Sequence, residues 1–286
     1  MERELWLVLY RNLRAVSRHT TQKHVHYPPW VIAAVLLWAA LHDRPVAWAC
    51  KLDNWSTTRL RPPTLPSAST VSRRRTRPEF QGFLDRFAQN IHGDGPPAWE
   101  LMIDGKPLPV GRCSKDPDAK GTPLGRGYKL HAIWGQGPLP DAWEVTSLRE
   151  YEGAVAKRLL ARIHGKGYLL ADGNYESSAL YDAAAESGYQ LLAEPDERDT
   201  GEGHRYQSPY RLQALRLFED GLGGALYRDR SAIERNFGNA GSFGGGLSPL
   251  PNWVRRQRRV EQWVWCKLMI NAARIFNKRQ KLGQMQ

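Results

Sequence analysis

The stretch GYLLADGNY, residues 167–175, is a run of apolar residues that ends on an aspartate followed by a glycine. A continuous apolar run of this length is typical of a strand that is buried on both faces of a sheet. Asp172 then lies at the carboxyl end of that strand, where open α/β sheets carry their functional groups. The stretch therefore predicts a central strand with a functional carboxylate at its end.

The segments on either side of this strand alternate between the periods of strands and helices. We predict further strands at 99–104, 127–135, 141–148 and 189–195, and helices at 149–163 and 176–187. The order is three strands, then helix, strand, helix, strand and helix. It predicts an α/β domain, a mixed sheet with helices packed on its faces. This order resembles that of a ribonuclease H-like fold.

The N-terminal third predicts helices only. The apolar segment 27–43 is typical of a core helix, and the proline-rich segment 59–69 is typical of a link. We therefore expect an all-helical region at 1–92, the sheet domain at 93–252, and a basic C-terminal helix packed on that domain at 253–286.

A row of arginines follows the proline-rich link. Ser69 or Thr70 is expected to cap a short helix that carries Arg73, Arg74 and Arg75. Short helices with such a row resemble a helix-turn-helix DNA reader. A small helical bundle with a basic face fits the same pattern, so both interpretations stay open.

The C-terminal stretch 254–281 has the period of one long helix. Its apolar stripe consists of Val260, Val264, Leu268 and Ala272. A separate side carries the basic residues Lys267, Arg274, Lys278 and Lys281. The pattern predicts a packing helix with a basic outer face.

Charge is distributed unevenly along the 286 residues, whose formal net charge is +12. Residues 1–80 hold thirteen Lys and Arg against five Asp and Glu, and residues 253–286 hold nine against one. Each end is therefore +8, and the stretch 81–252 carries the remaining −4. Basic surfaces are typical of proteins that bind polyanions, although charge also keeps proteins soluble. The two basic ends favour a nucleic-acid partner.

Three carboxylates form the candidate catalytic set. Asp104 and Asp172 each end a predicted strand and precede a glycine, and Glu234 lies in the helical stretch YRDRSAIERNF, 227–237. Each has an ordinary explanation, since Asp-Gly is a common turn and Glu234 is spaced to pair with Arg230. Together, on this order of elements, they predict a pocket of three acids. Ile233 and Phe237 would then hold the helix of Glu234 against the sheet.

The chain resembles bacterial insertion-sequence transposases of the DDE type over essentially its whole length. The similar segments are MIDGKPLPV (102–110), RGYKLHAIWGQGPLPDAWEVT (126–146), LLADGNYESSALYDAAAESGYQ (169–190) and YRDRSAIERNF. The last is similar to the motif Tyr-x2-Arg-x3-Glu-x6-Lys, which gives Tyr227, Arg230 and Glu234. The resemblance implies a DNA transposase, in which Tyr227 and Arg230 contact DNA.

The resemblance also implies partners and cofactors. Asp104, Asp172 and Glu234 would hold two Mg²⁺ or Mn²⁺ ions, because carboxylate oxygens are hard ligands. Double-stranded DNA, both transposon ends and target, would be bound by a homodimer. Two further functions stay open: a transposase-derived DNA-binding protein that no longer cuts, and a metal-dependent DNA nuclease that does not join strands.

One position departs from the resemblance. The lysine of the motif falls at 241, where this chain has Gly241 in NAGSFGGGL. Either a phosphate contact is lost there, or the four glycines at 241–246 form a loop that approaches DNA with its backbone. Arg255 and Arg256 are candidates for supplying the missing contact.

Other classes are excluded by missing motifs. The chain has no GxSxG, no HExxH and no GxxxxGK[ST] sequence. Its three cysteines, Cys50, Cys113 and Cys266, lie far apart without a CxxC, so neither a zinc site nor a disulfide framework is expected. No membrane segment is indicated. We expect a cytosolic protein associated with the nucleoid.

Overall fold

The computed structural model describes residues 2–18, 26–93, 97–111, 113–122, 125–194, 207–241 and 246–283. They divide into two compact units. The first comprises Met1–Gly95, Ser242–Leu247 and Gln262–Gln286, and the second comprises Pro96–Gly241 and Ser248–Glu261. The helix predicted to pack on the sheet domain therefore contributes most of its length to the first unit, with the N-terminal helices.

The first unit is helical, as the N-terminal pattern predicts. Its helices are α1 (Glu2–Arg18), α2 (Pro29–Leu41), α3 (Val46–Ala49), α4 (Ala68–Arg74), α5 (Pro78–His92) and, from Gln262 onward, α11 (Gln257–Gly283). Every residue of α2 is buried, which explains why this helix is apolar on all sides. None of the described helices has both the length and the apolar composition needed to cross a bilayer.

Two details of this unit differ from the prediction. The cap of α4 is Ser67, whose hydroxyl accepts a hydrogen bond from the backbone N–H of Thr70 at 3.2 Å, so Ser69 and Thr70 lie inside the helix. Lys267 does not lie on a basic outer face. It is buried, and its ammonium donates to Asp43 and to the carbonyl of Ala40.

The second unit contains the sheet. Its strands are β1 (Glu100–Pro109), β2 (Lys120–Thr122), β3 (Gly125–Trp134), β4 (Ala142–Ser147), β5 (Gly167–Ala171) and β6 (Tyr189–Ala193). Its helices are α6 (Glu152–Leu160), α7 (Ser178–Glu186), α8 (Pro209–Glu219), α9 (Leu222–Tyr227) and α10 (Ser231–Gly241). All the predicted strands are present, and the short β2 is the one that the sequence pattern missed.

The strand order agrees with the predicted fold. Within the described residues the order is β4-β3-β1-β5-β6, with β2 also on β3. β1, β3 and β4 pair antiparallel, whereas β5 runs parallel to both β1 and β6. The mixed sheet flanked by helices is ribonuclease H-like, and β5 is the interior strand that GYLLADGNY predicts.

A glycine at the start of β5 allows its close approach to β1. Gly167 has a φ of +145°, and a Cβ atom there would lie 1.8 Å from the carbonyl oxygen of Trp99. A side chain would therefore collide with the backbone just before β1. Gly167 therefore allows β5 to begin its pairing with β1 at this point. The register of that pairing determines whether Asp104 and Asp172 lie opposite each other.

Candidate active site

Asp104 and Asp172 lie at the same level of two adjacent parallel strands. The register pairs Glu100 with Tyr168 and Met102 with Leu170. Extended by two residues, it brings Asp172, the first residue after β5, opposite Asp104. The parallel pairing of β1 with β5 thus brings together two acids that have 67 residues between them in the chain.

Asp104 is not the end of its strand, and this corrects the prediction. β1 continues to Pro109, because it keeps its hydrogen-bonded partner β3 after its pairing with β5 has stopped. Gly105 is not a turn residue either. It pairs with His131, and a Cβ atom there would lie 2.7 Å from Cδ of Lys129, so the glycine leaves room for the lysine side chain to cross β1.

Asp172 is held by the turn that follows it. Its Oδ1 atom accepts a hydrogen bond from the backbone N–H of Asn174 at 3.0 Å, and it caps a short 3₁₀ turn at Gly173–Tyr175. Asp104 similarly accepts from the N–H of Gly105 at 2.7 Å. Both carboxylates are therefore oriented by the backbone of the next residues.

Electrostatics couples the two aspartates. The pKa of Asp104 is raised from its ordinary value, first by burial and further by the negative charge of Asp172, while the N–H of Gly105 and the guanidinium of Arg230 act against the rise. Glu152, in the first turn of α6, adds a smaller upward effect. The pair concentrates negative charge in a partly desolvated place, which a bound cation would stabilise.

Arg230 connects Asp172 to Glu234. Its Nη2 atom lies 3.8 Å from Oδ2 of Asp172, and its Nη1 atom lies 3.5 Å from Oε1 of Glu234. The Nε atom of Arg230 is buried and has no hydrogen-bond partner in the part of the chain that the structure describes. Arg230 therefore pairs with Glu234, as the i, i+4 spacing allows. The same arginine contacts Asp172, so Glu234 belongs to the same cluster as Asp172.

The helix of Glu234 faces the sheet as predicted. Ile233 and Phe237 are buried, and the ring of Phe237 meets Trp134 of β3 edge-on at 6.0 Å. The Glu234 side chain itself is 64% exposed. Tyr227 lies near the same cluster: burial is the largest cause that raises its pKa, and Arg230, Glu194 and Asp172 all act on it.

The carboxylates have the chemistry of a cation site, although they do not converge on one point. Among the described residues, no three His, Cys, Asp or Glu side chains are close enough to hold one metal ion. The donor set nevertheless fits a hard divalent cation, because Asp104 and Asp172 present oxygens side by side and repel each other. Glu234 joins them through Arg230.

Three more residues lie near Asp104 and Asp172: Lys129, Glu152 and Tyr175. The sequence pattern does not indicate a role for them. Lys129 forms an ion pair with Glu152. The hydroxyl of Tyr175 is buried without a hydrogen bond of ordinary geometry to any described residue, and the charges of Glu152, Asp104 and Asp172 all act on it. In the sequence, the signal for Lys129 is Gly105, because a residue without a side chain leaves space for the lysine to cross β1.

The sequence profile of the transposase DDE domain matches residues 95–272, more than half of the chain. The chain belongs to the transposase DDE domain family. A search among curated proteins gives no significant match. Among solved structures, the chain is similar to the piggyBac transposase in a cryo-EM synaptic complex with hairpin DNA. The identity is 13%, the TM-score is 0.43, and the match covers 94% of this chain and 71% of that chain.

Position 241 of the transposase domain, for which a loop was one of the two expectations, lies in a helix. α10 extends from Ser231 through Gly241, so the position of the missing motif lysine is helical. Residues 242–245 lie outside the described residues, and Gly246 has a φ of +74°. Position 241 therefore belongs to the helix.

The arginines predicted to bind DNA differ in their surroundings. Arg73 is exposed, whereas Arg74 donates to the carbonyl of Tyr27 at 3.1 Å and Arg75 donates to the side chain of Gln262. Two of the three arginines thus form hydrogen bonds within the first unit of the chain. Of the three arginines, Arg73 alone is exposed, and Arg74 and Arg75 are half-buried.

Arg255 and Arg256 lie in the second unit of the transposase domain. The guanidinium of Arg255 donates to the backbone carbonyls of Pro251 at 2.7 Å and Val254 at 2.8 Å. The side chain of Arg256 is 61% exposed and lies 3.6 Å from Asp118. Neither belongs to the cluster around Asp104.

Proposed function

We propose that the protein is a DNA transposase that cleaves and joins the phosphodiesters of transposon ends. The observation that carries this proposal is the placement of Asp104 and Asp172 at one level of adjacent parallel strands, with Arg230 connecting Asp172 to Glu234. Asp104 and Asp172 are thus neighbours although they are far apart in the chain, and Glu234 is linked to Asp172 through Arg230. Membership of the transposase DDE domain family supports the same reaction class.

Asp104, Asp172 and Glu234 would hold two Mg²⁺ or Mn²⁺ ions. When bound, such ions activate a water or a 3′-hydroxyl and stabilise the leaving oxygen of an in-line displacement at phosphorus. The residues of the chain orient the reacting groups. The backbone N–H groups of Gly105 and Asn174 fix the two aspartates, and Arg230 fixes Glu234.

DNA binding would use the cationic residues outside the acidic cluster. Arg230 and Tyr227 would contact the phosphates next to the reacting one, and Arg73 and Arg256 would contact phosphates farther away. Arg74, Arg75 and Arg255 would add to the positive field while their side chains stay fixed to carbonyl or amide oxygens. The partner is double-stranded DNA, both transposon ends and target, bound by a homodimer.

A protein that binds DNA without cutting it is the second candidate. It is favoured by the separation of Glu234, which contacts Arg230 and does not complete a three-acid metal site among the described residues. Gly241 in place of the motif lysine favours it as well. In this alternative the same fold would bind transposon ends and lack strand cleavage.

The test uses a plasmid that carries the gene with its flanking DNA, incubated with the protein in Mg²⁺ or Mn²⁺. We expect strand cleavage and joining by the wild type, and loss of both in Asp104→Ala, Asp172→Ala and Glu234→Ala. The control Glu219→Ala removes an exposed acid at the end of α8 and should cut normally. Duplex binding in EDTA should be retained by all four variants.

Each alternative has its own result. Wild-type protein that binds the flanking DNA but never cuts it would establish the second candidate. Cutting without joining would indicate a nuclease. A variant of one acid that cuts at the wild-type rate would remove that residue from the site.

A further inference from the structure

A groove of about 510 Å³ lies in the second unit, away from the acidic cluster. One wall consists of Gly111 and residues 113–117, which follow β1, and the other consists of Asn252, Arg255 and Arg256, just before α11. Three cations, Lys115, Arg255 and Arg256, line it. The basic residues Arg255 and Arg256 stand out in the sequence, whereas the facing residues 113–117 do not.

The segment is held in place by Asp116, which is 5% exposed. Its Oδ2 atom accepts hydrogen bonds from the hydroxyl of Tyr128 at 2.7 Å and from the backbone N–H of Arg256 at 2.9 Å. Its Oδ1 atom accepts from the N–H of Asp118 at 3.2 Å. A single buried carboxylate therefore fastens both walls of the groove to β3.

Three further hydrogen bonds support the same arrangement. Arg126 of β3 donates to the carbonyls of Asp116 at 2.8 Å and Ala119 at 2.7 Å. Asp118 accepts from the N–H of Gln257 at 3.1 Å, at the start of α11. Arg256 itself has a φ of +73°, a conformation that a non-glycine residue adopts only when its surroundings impose it. The groove is preformed rather than a gap between loose loops.

The charges in the groove are available to a ligand. Lys115 is exposed and has no carboxylate within ion-pair distance among the described residues. Arg255 is fixed by carbonyl oxygens, which orient its guanidinium without neutralising it. Arg256 has one carboxylate neighbour, Asp118 at 3.6 Å, and stays 61% exposed. Exposed and oriented cations match the chemistry of a nucleic-acid backbone.

We propose that this groove binds the phosphate backbone of duplex DNA at a distance from the reacting phosphodiester. The identity of the partner rests on the function proposed above. β1 leads from Asp104 towards the groove, and the seven residues from Asp104 to Gly111, at about 3.3 Å each, give a span of roughly 23 Å. With about 3.4 Å per nucleotide along a strand, the groove reaches phosphates about seven base pairs from the site of cleavage.

Cys113 lines the groove and reports on its occupancy. It is exposed, whereas burial raises the pKa of Cys50 to about 11 and that of Cys266 to about 12. A thiol reagent at pH 8 should therefore modify Cys113 first, because the thiolate is the reactive form. Labelling is followed by mass spectrometry in EDTA, with and without a 30-base-pair duplex. The duplex should slow modification of Cys113, and Cys113→Ser should remove the fast phase.

The charge test compares two double variants with the same loss of charge. Lys115→Gln with Arg256→Gln removes two cations of the groove. The control, Lys157→Gln with Lys166→Gln, removes two exposed lysines, at α6 and just before β5. Fluorescence anisotropy of the same duplex over a salt series should show a slope of log affinity against log salt that is roughly two units shallower for the groove variant only. Lys115→Gln alone, which leaves the backbone of Arg256 untouched, should lower the slope by about one unit.

Three results would overturn the inference. The first is an unchanged salt slope in the groove variants, together with Cys113 labelling that the duplex does not slow. The second is protection of Cys113 by inorganic phosphate as complete as by the duplex at equal phosphate concentration, which would indicate a free-anion site. The third is a wild-type protein that does not bind the duplex. The measurements need no strand cleavage, so a protein that fails to cut DNA can still confirm the groove.

Discussion

Replacing Asp116 by asparagine tests how much the buried carboxylate contributes to the structure around the groove. The side chain accepts three hydrogen bonds, two at Oδ2 and one at Oδ1. Asparagine keeps one accepting oxygen, and its amide nitrogen can only donate. If the oxygen stays with Tyr128 and Arg256, the amide nitrogen faces the N–H of Asp118, and that hydrogen bond is lost.

The expected loss in the free energy of unfolding follows from these contacts. A hydrogen bond to a charged group contributes about 1.5–3 kcal/mol. Asp116→Asn removes one such bond and takes the charge from the other two, so we expect a loss of about 2–4 kcal/mol. Asp53→Asn, at an exposed position of the first unit, is the control and should stay within about 0.5 kcal/mol of wild type.

The loss of unfolding free energy in Asp116→Asn should depend on pH in a specific way. Burial acts to raise the pKa of Asp116, but the hydrogen bonds from Arg256, Tyr128 and Asp118 outweigh it, and the pKa is lowered. The folded state therefore binds this proton less readily than the unfolded state. The stabilisation is present above the unfolded pKa of about 3.9 and is lost as the pH falls through the lowered folded value.

Urea denaturation followed by circular dichroism measures the effect at pH values from 7 down to 3. The difference between wild type and Asp116→Asn should be constant from pH 7 to 5 and should shrink below about pH 4. A loss no larger than that of Asp53→Asn, or a difference that does not change with pH, would refute the assignment of Asp116 as a charged anchor.

Three further predictions concern the DNA-handling residues. Arg73→Gln should make the salt slope of duplex binding shallower by about 0.9 with no change in unfolding free energy, and an unchanged slope in a salt titration would show that this arginine is only solvated. Gly241→Lys should tighten duplex binding, because α10 extends through this position; weaker binding in a gel-shift titration would instead favour close approach of the backbone. Glu152 raises the pKa of Asp104, so Glu152→Gln should shift the acidic side of the pH profile of the cleavage rate to lower pH. A pH profile equal to that of the wild type would show that Glu152 does not act on Asp104.

The sequence alone determined the order and type of most elements. Apolar runs such as 167–171 and the amphipathic period of α6 are local patterns, and the strands and helices formed where those patterns lie. The family was also visible in the segments around Asp104, Asp172 and Glu234, since a match of local motifs needs no knowledge of contacts. The orientation of α10 followed from its own spacing, which buried Ile233 and Phe237.

Tertiary structure decided what depends on pairing and on partners distant in the chain. No local pattern shows that β1 continues past Asp104, because its hydrogen-bond partner there is β3, 18 to 26 residues later in the chain. Lys267 has the spacing of a surface residue, and its burial is favourable because Asp43 and the carbonyl of Ala40 accept its hydrogen bonds. The groove has the same origin: Lys115 and Arg256 are brought together by a carboxylate, Asp116, whose three donors come from three separate parts of the fold. Charge and hydrophobicity are properties of a residue, whereas the energy of burying a charge depends on which other groups the fold places beside it.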